Sequence, residues 1–146
     1  MKKQLLKRLQ RTNKLFIDFI DFLPEEKLTS KLATLPSNTI GQQLWCVVGA
    51  RNSYVKAAIA GKWEGFECPL AWEKTTRTYE VKKELNNTQN KLEDFLNQTE
   101  NLNIDQQNFL IDLLEHEVQH HGQLVRYLYG LKLGIPQSWK DRYNLK

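Results

Sequence analysis

The stretch FLIDLLEHEVQHHGQLVRYLYGL, Phe109 to Leu131, carries all three histidines of the chain inside a helical pattern. Its apolar residues recur at spacings of three and four, which is the period of one face of an α-helix. That face contains Phe109, Leu113, Leu124, Tyr127 and Leu131. The predicted helix runs from about Asp105 to Leu133, and Gly134 and then Pro136 close it.

His116 and His120 fall in the middle of this apolar face, with Glu117 and Gln123 on its two shoulders. Residues four apart lie one above the other on a helix, so two imidazoles can converge on one cation. Burying both rings without partners would cost on the order of a few kcal/mol, which a bound cation would offset. Alternatively, the two rings are half-buried and bonded to neighbours or water, because H-x-x-x-H is short and common. His121 points about 100° away, so we expect it to support the site indirectly or to lie at the surface.

A divalent cation needs at least one more ligand, and no other histidine remains. Cys46 is the leading candidate, because a thiolate suits zinc and similar ions and its helix face is made of small residues that let a neighbour approach. Cys46 could equally be a small buried hydrophobe. Cys68, in a loop beside Pro69, is a weaker candidate. Glu117 could bind the ion or act as a general base.

The rest of the chain predicts three further helices, at about Lys2–Phe22, Thr39–Ala60 and Thr75–Asn97. Gly61–Trp72, GKWEGFECPLAW, has no period and is predicted to be a packed crossover loop, and the tail with Trp139 and Tyr143 is expected to pack back on the helices. No strand-like alternation occurs. We therefore predict an all-α fold, a four-helix bundle with a long crossover connection, in one domain spanning residues 1–146.

Composition and charge exclude several classes of function. The net charge of +4 is spread along the chain, and the basic first helix is more often a solvated face, so nucleic-acid binding is not expected. Charged residues interrupt the N-terminal segment where a signal peptide would be apolar, and no run of about 18 apolar residues exists. We therefore expect no membrane partner, a cytoplasmic location and two cysteine thiols.

The motif H-x-x-x-H-H-G-Q, followed by an aliphatic and aromatic helix and then G-x-P, resembles the DinB-like superfamily. The residues that match are His116, His120, His121, Gly122, Gln123, Tyr127, Leu128, Gly134 and Pro136. TIGQQLWCVVGARNSY, Thr39–Tyr54, is similar to the second helix of that family, and Gly61–Leu70 to the connection that follows it. The resemblance spans most of the chain.

The resemblance implies a four-helix bundle with a long crossover, a homodimer, and a divalent metal, zinc or nickel, bound by one histidine of helix two and two of helix four. The superfamily includes metal-dependent thiol transferases and related enzymes, although many members have no established activity, and its name refers to DNA-damage-inducible expression. The chain departs from the family pattern at Leu44-Trp45-Cys46, where the family has L-W-H. Either Cys46 replaces that histidine as a ligand, or the site is weakened or lost.

Two hypotheses follow. In the first, Cys46, His116 and His120 hold a divalent metal with an open position for water or a small-molecule or thiol substrate, and Glu117 or Gln123 orients the reacting group. In the second, the protein is a non-catalytic, stress-related helical bundle whose metal site is vestigial. The sequence does not decide between an enzyme and a binding or structural protein.

Overall fold

A computed structural model describes all 146 residues, Met1–Lys146, and contains five α-helices and no β-strand. The helices are α1 (Lys2–Phe22), α2 (Ile40–Ala60), α3 (Thr78–Gln98), α4 (Ile104–Gly130) and α5 (Gln137–Tyr143). Two short 3-10 helices, Glu25–Thr29 and Trp72–Thr76, lie in the connections before α2 and α3. The predicted all-α class is confirmed. No helix combines the length and the apolar character that a membrane crossing requires.

Local signals in the sequence set the ends of α2. Thr39 caps its start by accepting a hydrogen bond from the backbone N–H of Gln42, whose side chain accepts one from Thr39 in return. Gly61 ends the helix in a left-handed conformation with φ of 77°, which glycine adopts without a Cβ clash.

The ends of α3 and α4 differ from the prediction by a few residues. α3 begins at Thr78, because the preceding residues form the second 3-10 helix. Asn103 caps α4 through the same reciprocal arrangement, with Gln106 as its partner. α4 ends at Gly130, because the chain turns with positive φ angles at Lys132 (54°) and Gly134 (81°).

Among the long helices, α2 packs against α3 and α4, and α1 packs against the same two helices. Two clusters of buried apolar side chains form the core. Along α1, α3 and α4 the clusters are separated by buried polar side chains, which together with Arg51 of α2 form a polar layer. Its members are Thr12, Arg51, Thr88, Gln89, Glu117, His120 and His121. The tail packs back as expected, since Trp139 is fully buried and its indole N–H donates to the carbonyl of Leu15.

The buried face of α4 is rotated relative to the predicted apolar face. Leu110 and Leu128 are fully or nearly fully buried, whereas Phe109 is only half-buried. Glu117 therefore lies in the middle of the buried face, and His116 lies at its edge, half-buried. The prediction was wrong on this point because it weighted apolar residues alone and did not allow for a charged residue in the core.

Candidate metal centre

Three side chains predicted as ligands converge between α2 and α4. One ligand atom each from Cys46, His116 and His120 can be chosen so that all lie within 4.8 Å of one another. The Sγ of Cys46 is 3.6 Å from Nε2 of His116, and the two imidazole centroids are 4.5 Å apart. These separations place three donors around a common point to which a small cation can bind after minor adjustment.

Local structure explains this convergence. The i, i+4 spacing on α4 stacks the rings of His116 and His120 on one side of the helix. On α2, Cys46 is followed one turn later by Ala50, a small buried residue, and by Gly49, whose open side is occupied by the ring of Phe66. The site thus depends on the contact between α2 and α4 and needs no contribution from α1, α3 or α5.

Burial controls the protonation of all three groups. Desolvation lowers the pKa of His116 and, with a further contribution from His116, lowers the pKa of His120 to about 4. Both rings are therefore neutral at pH 7, which is the form that binds metals. Burial raises the pKa of the Cys46 thiol. A divalent cation would oppose that effect, because its charge favours the thiolate.

Gln43, which was not among the predicted site residues, lies directly behind His120. Its Oε1 atom is 2.7 Å from Nδ1 of His120, and both side chains are buried. Gln43 precedes Cys46 by three residues and so faces the same side of α2. That spacing could have indicated Gln43 from the sequence, because an amide one turn before a candidate ligand can support the ligands of the facing helix.

The residues present fit a divalent cation such as zinc. The ring nitrogen of His116 that faces the other ligands is Nε2, which is 3.6 Å from the Sγ of Cys46. A set of one thiolate and two imidazoles is chemically suited to zinc and to other borderline or soft ions. The structure thus supplies the donor types of such a site.

Glu117 does not join the cluster, although it follows His116 directly. Its Oε1 accepts hydrogen bonds from Nε and Nη2 of Arg51 at 2.8 and 2.5 Å, and its Oε2 accepts one from the Thr12 hydroxyl. The carboxylate is fully buried and directed into the polar layer. Its observed partners leave it poorly placed to bind the ion or to act as a base there.

Gln123, the other side chain predicted to orient a reacting group, lies half-buried one turn beyond His120. It forms no side-chain hydrogen bond within the protein. Its amide is therefore free to bond to another molecule, but no hydrogen bond connects it to Cys46, His116 or His120.

His121 belongs to the core and not to the surface, which corrects one of the alternatives expected for it. It is fully buried, with Nδ1 2.6 Å from the hydroxyl of Tyr143 and Nε2 3.2 Å from the carbonyl of Thr12. Its ring also packs edge-on against Phe16, at a centroid distance of 4.3 Å. His121 connects α4 to α1 and α5 and has no ligand role.

Cys68 also lies outside the cluster. Its Sγ is 3.3 Å from the carbonyl of Trp45, and burial raises the pKa of its thiol to about 11. It sits in the crossover segment, which packs on α2 beside the site. Phe66 in that segment lies against Gly49, where a Cβ atom would be 2.1 Å from the tip of the phenyl ring. The absence of a side chain at Gly49 therefore allows Phe66 of the crossover segment to pack against α2 beside the cluster.

A comparison with models of known protein families finds no match to the chain, and a comparison with curated proteins finds none. The class that the fold and the site themselves define is an all-helical protein with a Cys-His-His cluster able to hold a metal ion. Its ligands come from two helices that pack directly against each other.

Proposed function

We propose that the protein is a metal-binding four-helix bundle of the DinB-like type, in which Cys46, His116 and His120 hold a divalent cation, zinc or nickel. The observation that supports this function most directly is the convergence of the three ligand atoms within 4.8 Å. The order of the four long helices and the long connection from α2 to α3, residues 61–77, agree with the bundle and crossover of that family.

We further propose that the centre is catalytic and acts on a small thiol or a hydrolysable substrate. The cluster offers three protein ligands, and sites with three protein ligands typically leave a position for water or substrate. Cys46 and His116 are only half-buried, so a small molecule can approach them. When bound, the metal would supply Lewis-acid activation of a thiol or a water molecule. The half-buried amide of Gln123 is available to orient the reacting group from α4.

One observation favours the alternative of a non-catalytic metal-binding protein. Glu117, the nearest acidic side chain in sequence, is paired with Arg51 and Thr12 and is fully buried. Proton transfer at the centre would then have to use the substrate or solvent, since no carboxylate belongs to the cluster. A protein that only stores or is stabilised by a metal would need no such base.

Metal analysis of protein purified without an affinity tag tests the metal site. We expect stoichiometric metal in the wild type, and loss of it in Cys46→Ala and in the double variant His116→Ala, His120→Ala. Gln119→Ala is a matched control, because Gln119 is exposed on α4 and adjoins His120 without bonding to it. Equal, sub-stoichiometric metal in wild type and double variant would eliminate the proposal.

A second measurement separates the enzyme from the binding protein. The zinc- and nickel-loaded proteins are assayed with small thiols and a chromogenic aryl halide for thiol transfer, and with activated esters for hydrolysis. Metal-dependent turnover that is lost in the double variant and kept in Gln119→Ala supports catalysis. Full metal occupancy with no turnover above that of the double variant favours the non-catalytic alternative.

A further inference from the structure

The two histidines of the cluster differ in what holds them. His120 has Oε1 of Gln43 at 2.7 Å from its Nδ1 atom, and Gln43 is only 9% exposed. The corresponding Nδ1 atom of His116 is buried without a partner. The Nδ1 atom of His120 therefore has a polar partner on the opposite helix, whereas the only hydrogen-bond partner of the His116 ring is the Cys46 thiol, 3.6 Å from its Nε2 atom.

A neutral imidazole has one N–H group, and the position of that proton decides which nitrogen can bind a metal. When Nδ1–H of His120 donates to Gln43, the lone pair is left on Nε2. The amide oxygen sits on a regular helical turn, since the Gln43 backbone N–H donates to the Thr39 carbonyl at 3.0 Å. Metal-binding histidines commonly have such an acceptor behind them, and it orients the ring.

We propose that Gln43 is a positioning residue that fixes the tautomer and ring orientation of His120, so that His120 is the preorganised ligand and His116 the adjustable one. The inference rests on the proposed metal site. Because Gln43 and Cys46 are one turn apart on α2, this helix then determines the positions of two ligands, one directly and one through a hydrogen bond. The position of the third ligand, His116 on α4, is then the one that can adjust to the ion.

A neutral acceptor also suits the charge of the ligand set. A carboxylate behind His120 would add a second negative charge beside a Cys46 thiolate, whereas an amide adds none. The amide in the opposite orientation would donate from Nε2 of Gln43 to Nδ1 of His120. The N–H of His120 would then lie on its Nε2 atom and block metal binding, so the two orientations make opposite, measurable predictions.

The experiment reads the histidine tautomers by nitrogen NMR and the zinc affinity by competition with a chromogenic chelator. The chain has only three histidines, so every ring can be assigned in metal-free protein. We expect His120 as the Nδ1–H tautomer in the wild type and a mixture of tautomers in Gln43→Ala. Zinc affinity in Gln43→Ala should fall by about 10–100-fold, the usual effect of removing such a partner.

Two further variants separate positioning from folding. Gln43→Glu keeps an acceptor and should restore the Nδ1–H tautomer and most of the affinity, whereas Gln119→Ala should change neither. An unchanged zinc affinity in Gln43→Ala, or an Nε2–H tautomer of His120 in the wild type, overturns the inference and leaves the metal site standing. If the wild type binds neither zinc nor nickel, the proposed function fails, and an unchanged tautomer in Gln43→Ala would overturn the role of Gln43 as well.

Discussion

Arg51 on α2 and Glu117 on α4 form an ion pair whose side chains are both fully excluded from solvent. The guanidinium also donates to Oδ1 of Asn13 and to the carbonyl of Leu85, each at 2.9 Å, while Thr12 donates to the carboxylate. The pair thus connects α1, α2, α3 and α4 through hydrogen bonds in the polar layer. Buried charges persist only where they are paired and hydrogen-bonded, which is the case here.

Removing one member of this pair should destabilise the fold strongly. Glu117→Ala leaves the buried guanidinium of Arg51 without its counter-charge, so we expect the free energy of unfolding to fall by about 3–5 kcal/mol. Urea unfolding followed by circular dichroism measures the loss. The double replacement Arg51→Met, Glu117→Leu should lose much less, because neither charge remains buried. A Glu117→Ala protein as stable as the wild type, but inactive, would instead restore Glu117 as a candidate base.

Alanine at Gly49 should displace the crossover segment. The new methyl group would occupy the position of the Phe66 ring, which also packs against Trp45 in a tilted arrangement at a centroid distance of 5.1 Å. We expect a shift in tryptophan emission and a net loss of about 1–2 kcal/mol, since the lost aromatic packing outweighs the gain in helix propensity.

Gly122 provides the matched control for this substitution. It lies in α4 with no atom within 4 Å of an added Cβ. Gly122→Ala should therefore stabilise the protein by up to about 1 kcal/mol and leave the tryptophan emission unchanged. Equal gains from the two alanine variants would show that the Phe66 contact contributes nothing.

Stability should fall as the pH is lowered below about 6.5. Burial lowers the folded-state pKa of His121 to about 3 and that of His120 to about 4, from an ordinary value of 6.5. Below pH 6.5 the unfolded chain binds protons that the folded chain does not. Each histidine then removes about 1.4 kcal/mol of stability per pH unit, and its full contribution is present only above the unfolded-state pKa.

Urea unfolding between about pH 5 and 7.5, with a chelator present, measures this dependence. His121→Gln is the control, because it removes the most strongly shifted group and retains a side chain able to form hydrogen bonds. Its slope should be smaller than that of the wild type by about one proton. The same slope in both proteins would mean that other groups account for the acid sensitivity.

Helix positions could be predicted from the sequence because their signals are local. The bounds of α1 agree with the prediction, and α2 differs only in that Thr39 caps the helix and does not belong to it. The orientation of α4 could not be predicted in the same way. Glu117 and His121 are buried because Arg51, Thr12 and Tyr143, from other parts of the chain, form hydrogen bonds with them. The spacing of apolar residues along one helix does not identify such partners.

The same distinction applies to the candidate site, where local spacing predicted some of the residues and helix packing determines the others. Spacing on one helix was enough to pair His116 with His120. Cys46 was predicted opposite them from the small residues of α2, although the space beside one of these, Gly49, is filled by Phe66 of the crossover. The supporting residue Gln43 required the relative rotation of α2 and α4, which only the packed structure provides. Likewise, the diversion of Glu117 away from the cluster depends on a positive charge contributed by another helix.

Replacing Cys46 by histidine should change the metal preference of the site and not abolish binding. The thiolate is a soft donor that favours ions such as cadmium and zinc, whereas three neutral imidazoles suit zinc and nickel. Because Cys46 is only half-buried, the bulkier ring can extend toward the solvent side of the cluster. Nickel affinity relative to cadmium should therefore rise in Cys46→His.

Cobalt-loaded protein provides the measurement, with Cys46→Ala as the control. The wild type should show a sulfur-to-cobalt charge-transfer band that is absent from both variants, since each lacks the thiolate. Cys46→His should nevertheless bind cobalt at least about tenfold more tightly than Cys46→Ala, because the third protein ligand is retained. Equal affinities in the two variants would mean that position 46 does not face the ion, and the ligand set would then have to be sought among the two histidines and a different side chain.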